Sequence, residues 1–204
     1  MRALPPAFAA HARDFYAGEA VPAAPRKAAT VLLLRDADGS VEVFMIRRSA
    51  TMAFAGGLYA FPGGAAEPSD ADIAATAARE LEEETGVVGI APRAWSRWVT
   101  PEFEPRRYDT WFYVAALPGG QEPANLGSEA DRTIWVSPQA GLDRFRDMML
   151  PPTAVTLTEL AEHPSTASVL SAALGRDLSP ILPKVLLDAD PPRMAIRGDA
   201  DYPG

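Results

Sequence analysis

The 204-residue chain has no cysteine, so disulfides, zinc–thiolate centres and cysteine nucleophiles are excluded, and no trace of a redox compartment can be read from it. Histidine is almost as scarce. His11 and His163 are the only two, too far apart for H-x-H or H-E-x-x-H spacing, which removes most zinc and Ser-His-Asp chemistry. His163, in "AEHPS", reads as a helix-end residue. Lysine is confined to Lys27 and Lys184, the rest of the 19 basic residues being arginine. No G-x-G or G-K-[ST] occurs, so dinucleotide-binding and P-loop readings fail. No apolar run approaches a bilayer-spanning length, and the opening "MRALPPAFAAHARDF" is broken by two prolines and a histidine before a signal-peptide core develops. A cytoplasmic location and no membrane partner are the expectation. Positive charge is also in deficit: the net charge is −8 and the pI about 4.8. That argues against nucleic acid as a partner, while a small anion stays within reach of arginines or a metal.

What is present suits an ordinary globular domain, with 48% hydrophobic and 23% charged residues. Residues 1–25, rich in Ala and Pro, read as an N-terminal arm, and 26–204 as one domain with an extension from about residue 150. "ATVLLLRDADGSVEVFMIRRS" reads as a hairpin turned at Asp-Gly, and "GGLYAFPGG" as a further short strand. A helix follows, with Ser69 or Asp70 as its N-cap and Gly86 as its terminator. "RAWSRWVTP", "RRYDTWFYVAAL" and "TIWVSP" read as strands, and the remainder as helices ending in a proline-rich tail. Trp111 and Phe112 are expected in the core.

The helix poses the question. "ARELEEETGV" carries four glutamates in five positions, although neighbouring like charges on a helix repel by a few tenths of a kcal/mol per pair. On a wheel of about 100° per residue, Ala74, Ala77, Ala78, Leu81 and Thr85 form a small-residue face for packing. Glu80, Glu83 and Glu84 share one stripe beside it, Glu82 points elsewhere, and Arg79 precedes Glu83 by the four positions that allow pairing. A hard divalent cation, Mg²⁺ or Mn²⁺, explains both the stripe and the Pro-Gly-Gly turn before it, because such ions take carboxylate and carbonyl oxygens and glycine permits close backbone approach.

"GGAAEPSDADIAATAARELEEETGV" resembles the Nudix box, G-x5-E-x7-R-E-U-x-E-E-x-G-U with U apolar. Gly64, Arg79, Glu80, Leu81, Glu83, Glu84, Gly86 and Val87 match it. The pattern's first glutamate falls at Asp70 with a gap one residue too long, and Asp72 competes for that place. The resemblance implies a Nudix α/β/α sandwich with a mixed β-sheet, here with a C-terminal helical extension. It also implies hydrolysis of a nucleoside diphosphate linked to another moiety. Glu80, Glu83, Glu84 and the Gly64 carbonyl would be metal ligands, and Arg79 the orienting partner. A carboxylate would take the proton from the attacking water: a box glutamate, or Glu129 in the later loop "GSEADRTIWV".

Upstream, "RRSATMAFAGGLYAFPGG" is similar to the motif of the coenzyme A diphosphatase branch of the family, R-S-x3-R-x3-G-x-V-x-F-P-G-G. Arg48, Ser49, Gly57, Phe61, Pro62, Gly63 and Gly64 fit, while Ala53 replaces the second arginine and Tyr59 the valine. The resemblance points to coenzyme A or acyl-coenzyme A as substrate. Arg48, Arg106 and Arg107 are candidate phosphate partners, although either residue of "RRYDT" could instead pair with Asp109. The alternatives are an ADP-ribose or nucleotide-sugar diphosphatase, with Pro101 as its weak marker, and a nucleotide-sensing module of the same fold without catalysis. A homodimer stays open.

Overall fold

The computed structural model describes residues 4–52 and 55–202. In chain order the elements are α1 (Pro6–Ala17), β1 (Arg26–Ala37), β2 (Ser40–Arg48), β3 (Tyr59–Ala60), β4 (Gly63–Ala65), α2 (Ile73–Thr85), β5 (Arg93–Val99), β6 (Tyr108–Ala116), β7 (Ala130–Val136), α3 (Pro138–Phe145), α4 (Pro151–Leu160), α5 (Thr166–Ala172), β8 (Lys184–Leu186) and β9 (Arg193–Ala195). The expected hairpin is β1 and β2, paired antiparallel with Leu34 opposite Val43. Its turn residues, Asp38 and Gly39, both have positive φ, as a two-residue turn between twisted strands requires.

β3, β2, β1, β6 and β5 are neighbours in that order in a central mixed sheet, with β4 added to β1 and β7 to β2. Alternation along the strands gives the sheet two buried faces. On one, Ala29, Val31 and Leu33 of β1, Phe44 and Ile46 of β2, and Tyr113 and Ala115 of β6 pack against Ala77 and Leu81 of α2. On the other lie Leu34 and Val43 with Val136 of β7, paired with Val43. α3 closes onto this face: a side chain on Gly141 would meet Val136 at 3.5 Å and Leu157 of α4 at 3.3 Å. Helices therefore cover both faces, the layered α/β/α arrangement expected. Phe112 is buried and Trp111 packs at the core margin.

The chain divides into two compact units woven from separated segments: Met1–Lys27, Arg97–Thr110 and Ser179–Gly204 form one, Ala28–Ser96 and Trp111–Leu178 the other. In the first, the N-terminal arm is the helix α1, with Ala9 and Ala12 buried and His11 Nε2 2.9 Å from the Phe103 carbonyl. The tail after residue 182 is the two-stranded ribbon of β8 and β9. In the second, His163 follows α4, sits edge-on to Trp95 and hydrogen-bonds the Ser168 hydroxyl at 2.9 Å, a packing role.

Candidate active site: an acidic helix around one arginine

α2 begins where Asp72, extended in backbone, accepts the Ala75 N–H at 2.8 Å, and it ends at Gly86, whose φ of 75° closes the last turn through its N–H to the Glu82 carbonyl. The N-cap is thus neither Ser69 nor Asp70. Asp70 is free of that duty because its carboxylate is taken by Arg79. The guanidinium grips it with two bonds, Nε to Oδ1 at 2.9 Å and Nη2 to Oδ2 at 3.1 Å, while the Glu67 N–H and the Thr76 hydroxyl complete its shell. That shell, the Arg79 bond first, holds the Asp70 carboxyl well below its ordinary range. Asp70 and Asp72 thus have different tasks: one anchors the arginine, the other caps the helix.

Arg79 does more than pair with Glu83. Its Nη1 donates to Glu83 at 3.2 Å and to Glu80 at 3.0 Å, and its Nη2 also reaches the Ala65 carbonyl at 3.1 Å. One guanidinium thus ties three carboxylates and the strand leaving the Gly-Gly turn, and the bond to Asp70 is the chief cause of its strengthened basicity. Such forked, charge-assisted contacts fix direction as well as charge. Thr76 and the Ala65 carbonyl carry no sequence pattern of their own and were not anticipated.

Pro62, Gly63 and Gly64 bring backbone to the helix. Gly63, at a φ of 153°, donates its N–H to Glu84 Oε2 at 3.0 Å, and a Cβ there would lie 2.6 Å from the Thr30 Cα. At Gly64 a Cβ would sit 2.5 Å from the Glu80 Cδ and Oε1, so the Glu80 carboxyl occupies space that only glycine leaves. The sequence groups Gly64, Glu80, Glu83 and Glu84 as a metal set. The structure brings Gly64, Glu80 and Glu84 together, with Glu83 at the exposed edge, its side chain 57% accessible.

Burial pushes the Glu84 carboxyl up to about 7, opposed by the Gly63 N–H and reinforced by the negative charges of Glu80 and Glu129. Burial likewise raises Glu80, with Arg79 opposing. Glu129, just ahead of β7, thus lies within electrostatic reach of both glutamates. β2 carries a bulge between Arg47 and Arg48 where it meets β7, and there the Ser49 N–H donates to the Glu129 carbonyl at 2.7 Å while Arg48 Nη2 stands 3.8 Å from Glu129 Oε2. Arg48 is the cation whose charge acts on Glu84.

The two other arginine candidates belong to the other compact unit. Arg107 is only 9% exposed, its Nε donating to the Thr100 carbonyl at 3.1 Å and its Nη1 to the Ala23 carbonyl at 2.7 Å. Asp109 pairs with Arg97, at 2.7 and 2.8 Å, and with neither residue of the Arg106–Arg107 pair. The replaced arginine position, Ala53, lies outside the described residues.

A helix of glutamates gripped by one arginine, with a Gly-Gly turn laid against it, coincides with the match to a family model: the NUDIX domain aligns with residues 24–154. The chain belongs to the NUDIX domain family. It is 42% identical over 64 residues to Nudix hydrolase 22, chloroplastic, of Arabidopsis thaliana, covering 31% of this chain and 21% of that protein. It is 51% identical over 45 residues to the uncharacterized Nudix hydrolase NudL of Photorhabdus laumondii, covering 22% of this chain and 24% of that one. The chain therefore spans less than a quarter of the length of these curated relatives. Among solved structures, a NUDIX hydrolase from Alicyclobacillus acidocaldarius superposes with a TM-score of 0.68 at 27% identity, over 77% of this chain and 99% of that one. The NUDIX domain of Shewanella oneidensis NrtR, crystallised with ADP-ribose, shares the fold with a TM-score of 0.53 at 21% identity, over 74% and 96% of the two chains.

NUDIX hydrolases generally use divalent metal ions, and the donor set here suits one. The donors are hard oxygens, Glu80 is raised by burial and by the charges of Glu83 and Glu129, Glu84 by burial and by those of Glu80 and Glu129, and a cation held by them would offset this excess of negative charge. They do not form a finished cage. Among the described residues no three His, Asp or Glu side chains stand arranged to hold an ion, because Arg79 holds Glu80 and Glu83 while the Gly63 N–H holds Glu84.

Proposed function

We propose that this NUDIX chain is a divalent-metal-dependent diphosphatase, acting on a nucleoside diphosphate linked to a second moiety. The observation that carries the reading is the gathering of Glu80 and Glu84 against the Gly63–Gly64 turn, with Arg79 anchored by Asp70 and donating to Glu80 and Glu83. Burial raises the Glu84 carboxyl, so a cation bound there would replace its proton.

Glu80, Glu83, Glu84 and the Gly64 carbonyl would hold Mg²⁺ or Mn²⁺, which supplies charge neutralisation at the diphosphate and a more acidic water. The rest is the work of the chain. Arg79, anchored by Asp70, holds Glu80 and Glu83 in defined directions. Glu84 or Glu129 takes the proton of the attacking water. The water oxygen bonds to one phosphorus, the anhydride oxygen leaves with the other, and two phosphomonoesters result. Arg48, 3.8 Å from Glu129 and acting on Glu84, would offer a guanidinium to a phosphate oxygen.

Within that class we read coenzyme A or acyl-coenzyme A as the substrate, on the strength of Arg48, Ser49, Gly57 and Phe61 to Gly64 at the motif's spacing. The test is product analysis on coenzyme A, acyl-coenzyme A, ADP-ribose and NADH with Mg²⁺ or Mn²⁺. Release of 3′,5′-ADP and a phosphopantetheine from the coenzyme supports the reading. Preference for ADP-ribose replaces the substrate, and binding of the panel without turnover replaces the enzyme with a sensing module.

A further inference from the structure

In the compact unit that contains the chain's first 27 residues, three arginines converge without a carboxylate. A cavity of about 410 Å³ is lined by Ala23, Ala24, Arg26, Pro105, Arg106, Arg107 and Tyr108. Local chain geometry makes it. The Arg26 N–H donates to the Arg107 carbonyl at 2.9 Å, setting the start of β1 beside the residue that precedes β6, and Arg107 reaches back to the Ala23 carbonyl. Arg26 and Arg106 are exposed, whereas Arg107 is buried.

The electrostatics of this cavity are out of keeping with a chain of net charge −8. No Asp or Glu lines it. Among the described residues, none of the ion pairs takes up Arg26, Arg106 or Arg107, whereas Arg79 pairs with Asp70, Arg97 with Asp109, Arg176 with Glu159 and Arg47 with Asp131. Glu102 and Arg107 both act on the Tyr16 hydroxyl, yet no ion pair joins them. Arg107 donates from Nε and Nη1 to neutral carbonyls, which bring it no counter-charge. A buried charge without a counter-charge is unfavourable and is normally matched by a partner.

We propose that this cavity is an anion site, separate in its residues from the acidic helix, that takes a small phosphate-bearing molecule. Guanidinium forks match phosphate oxygens in pairs, and the volume falls in the range of small-molecule pockets. The apolar walls of Ala23, Ala24 and Pro105 and the ring of Tyr108 give a body attached to the phosphate something to lie against. This holds independently of the diphosphatase reading.

The experiment is calorimetric titration of the full chain with inorganic phosphate and pyrophosphate in a chelating buffer, so that no divalent ion recruits either anion to the glutamates. Wild type and Glu84→Gln should bind alike, Arg106→Ala and Arg26→Ala should each lose about tenfold in affinity, and Arg106→Glu should abolish binding. Acetate serves as the carboxylate control and should bind at least tenfold more weakly. Absence of phosphate binding by the wild type, or retention of full affinity in Arg106→Glu and in the Arg26→Ala/Arg106→Ala double variant, overturns the proposal. So does acetate binding as tightly as phosphate. Failure of the hydrolase assay leaves these results untouched, because the readout is binding without metal.

Discussion

The two compact units handle surplus charge in opposite ways. In one, Asp70, Glu80 and Glu83 converge on Arg79, so the excess negative charge is partly balanced from within and each carboxylate has a defined direction. In the other, Arg26, Arg106 and Arg107 line a cavity with no carboxylate in its wall. An internally balanced cluster has its carboxylates oriented and partly neutralised before any outside cation arrives. An unbalanced one gains most by taking a counter-charge from outside. The first and largest test of this contrast is on the acidic side: Glu83→Gln and Glu84→Gln should each lower turnover of the diphosphate substrate by about 10²–10⁴-fold, with circular dichroism unchanged. Near-full activity in both would remove the acidic cluster from the chemistry.

The same cluster predicts a pH response. Glu84 is held at about 7 in the folded protein against an ordinary 4.5, so between these pH values the folded state keeps a proton that the unfolded chain has lost. Its contribution to stability is full below about pH 4.5, declines as pH rises, and is gone above about 7, a change of about 3 kcal/mol from this group. In chelator, urea melts at pH 5 and pH 7.5 should show the decline in wild type and its loss in Glu84→Gln. Mg²⁺ should restore stability at pH 7.5, since the ion replaces the proton. Parallel profiles for the two proteins would show that Glu84 is not desolvated.

The neighbouring glycines separate fold from function. A Cβ on Gly63 would press on the Thr30 backbone at 2.6 Å, which cannot yield cheaply, so Gly63→Ala should cost about 1–3 kcal/mol of stability. A Cβ on Gly64 meets the end of the Glu80 side chain, which can swing away. Gly64→Ala should therefore leave the melting temperature nearly unchanged while activity falls about tenfold, because the displaced carboxyl is one we propose as a metal ligand. Equal thermal losses in the two variants would place Gly64 in the scaffold instead.

Much of this site was legible because helical periodicity is rigid: once α2 exists, Glu80, Glu83 and Glu84 must share a side, Arg79 must reach Glu83, and Ala77 and Leu81 must face the sheet. The hairpin and the long strands were equally open to reading, since Asp38-Gly39 and β-prone runs are local signals, but their order in the sheet was not. What escaped depends on contacts across the chain. Asp70 is nine residues from Arg79, a loop-to-helix reach that no periodicity encodes, and so it could not be told from Asp72, which a single backbone N–H claims as the cap. Arg107 looked like its neighbour Arg106, and only the folded chain shows one buried against carbonyls and the other exposed. The two units interleave their segments, so no composition step marks them.

The smallest expected effect tests the part that was least legible. Asp70→Asn keeps the shape of the side chain but removes its charge and one of the two oxygens that Arg79 grips, so Arg79 is left to Glu80, Glu83 and the Ala65 carbonyl. It should hold Glu80 and Glu83 more tightly and release them to a cation less readily. The Mg²⁺ concentration for half-maximal activity should rise several-fold, with turnover at saturating Mg²⁺ close to wild type. The acid limb of stability should change with it. Asp70 is depressed below its ordinary 3.8, so its contribution is present above that value and lost as pH falls through the folded one, and the variant should lack that loss. If the metal requirement is unaltered while the acid limb flattens, Asp70 anchors the loop at Arg79 without governing the glutamates. The balance of the acidic cluster would then rest on Arg79, Glu80 and Glu83 alone.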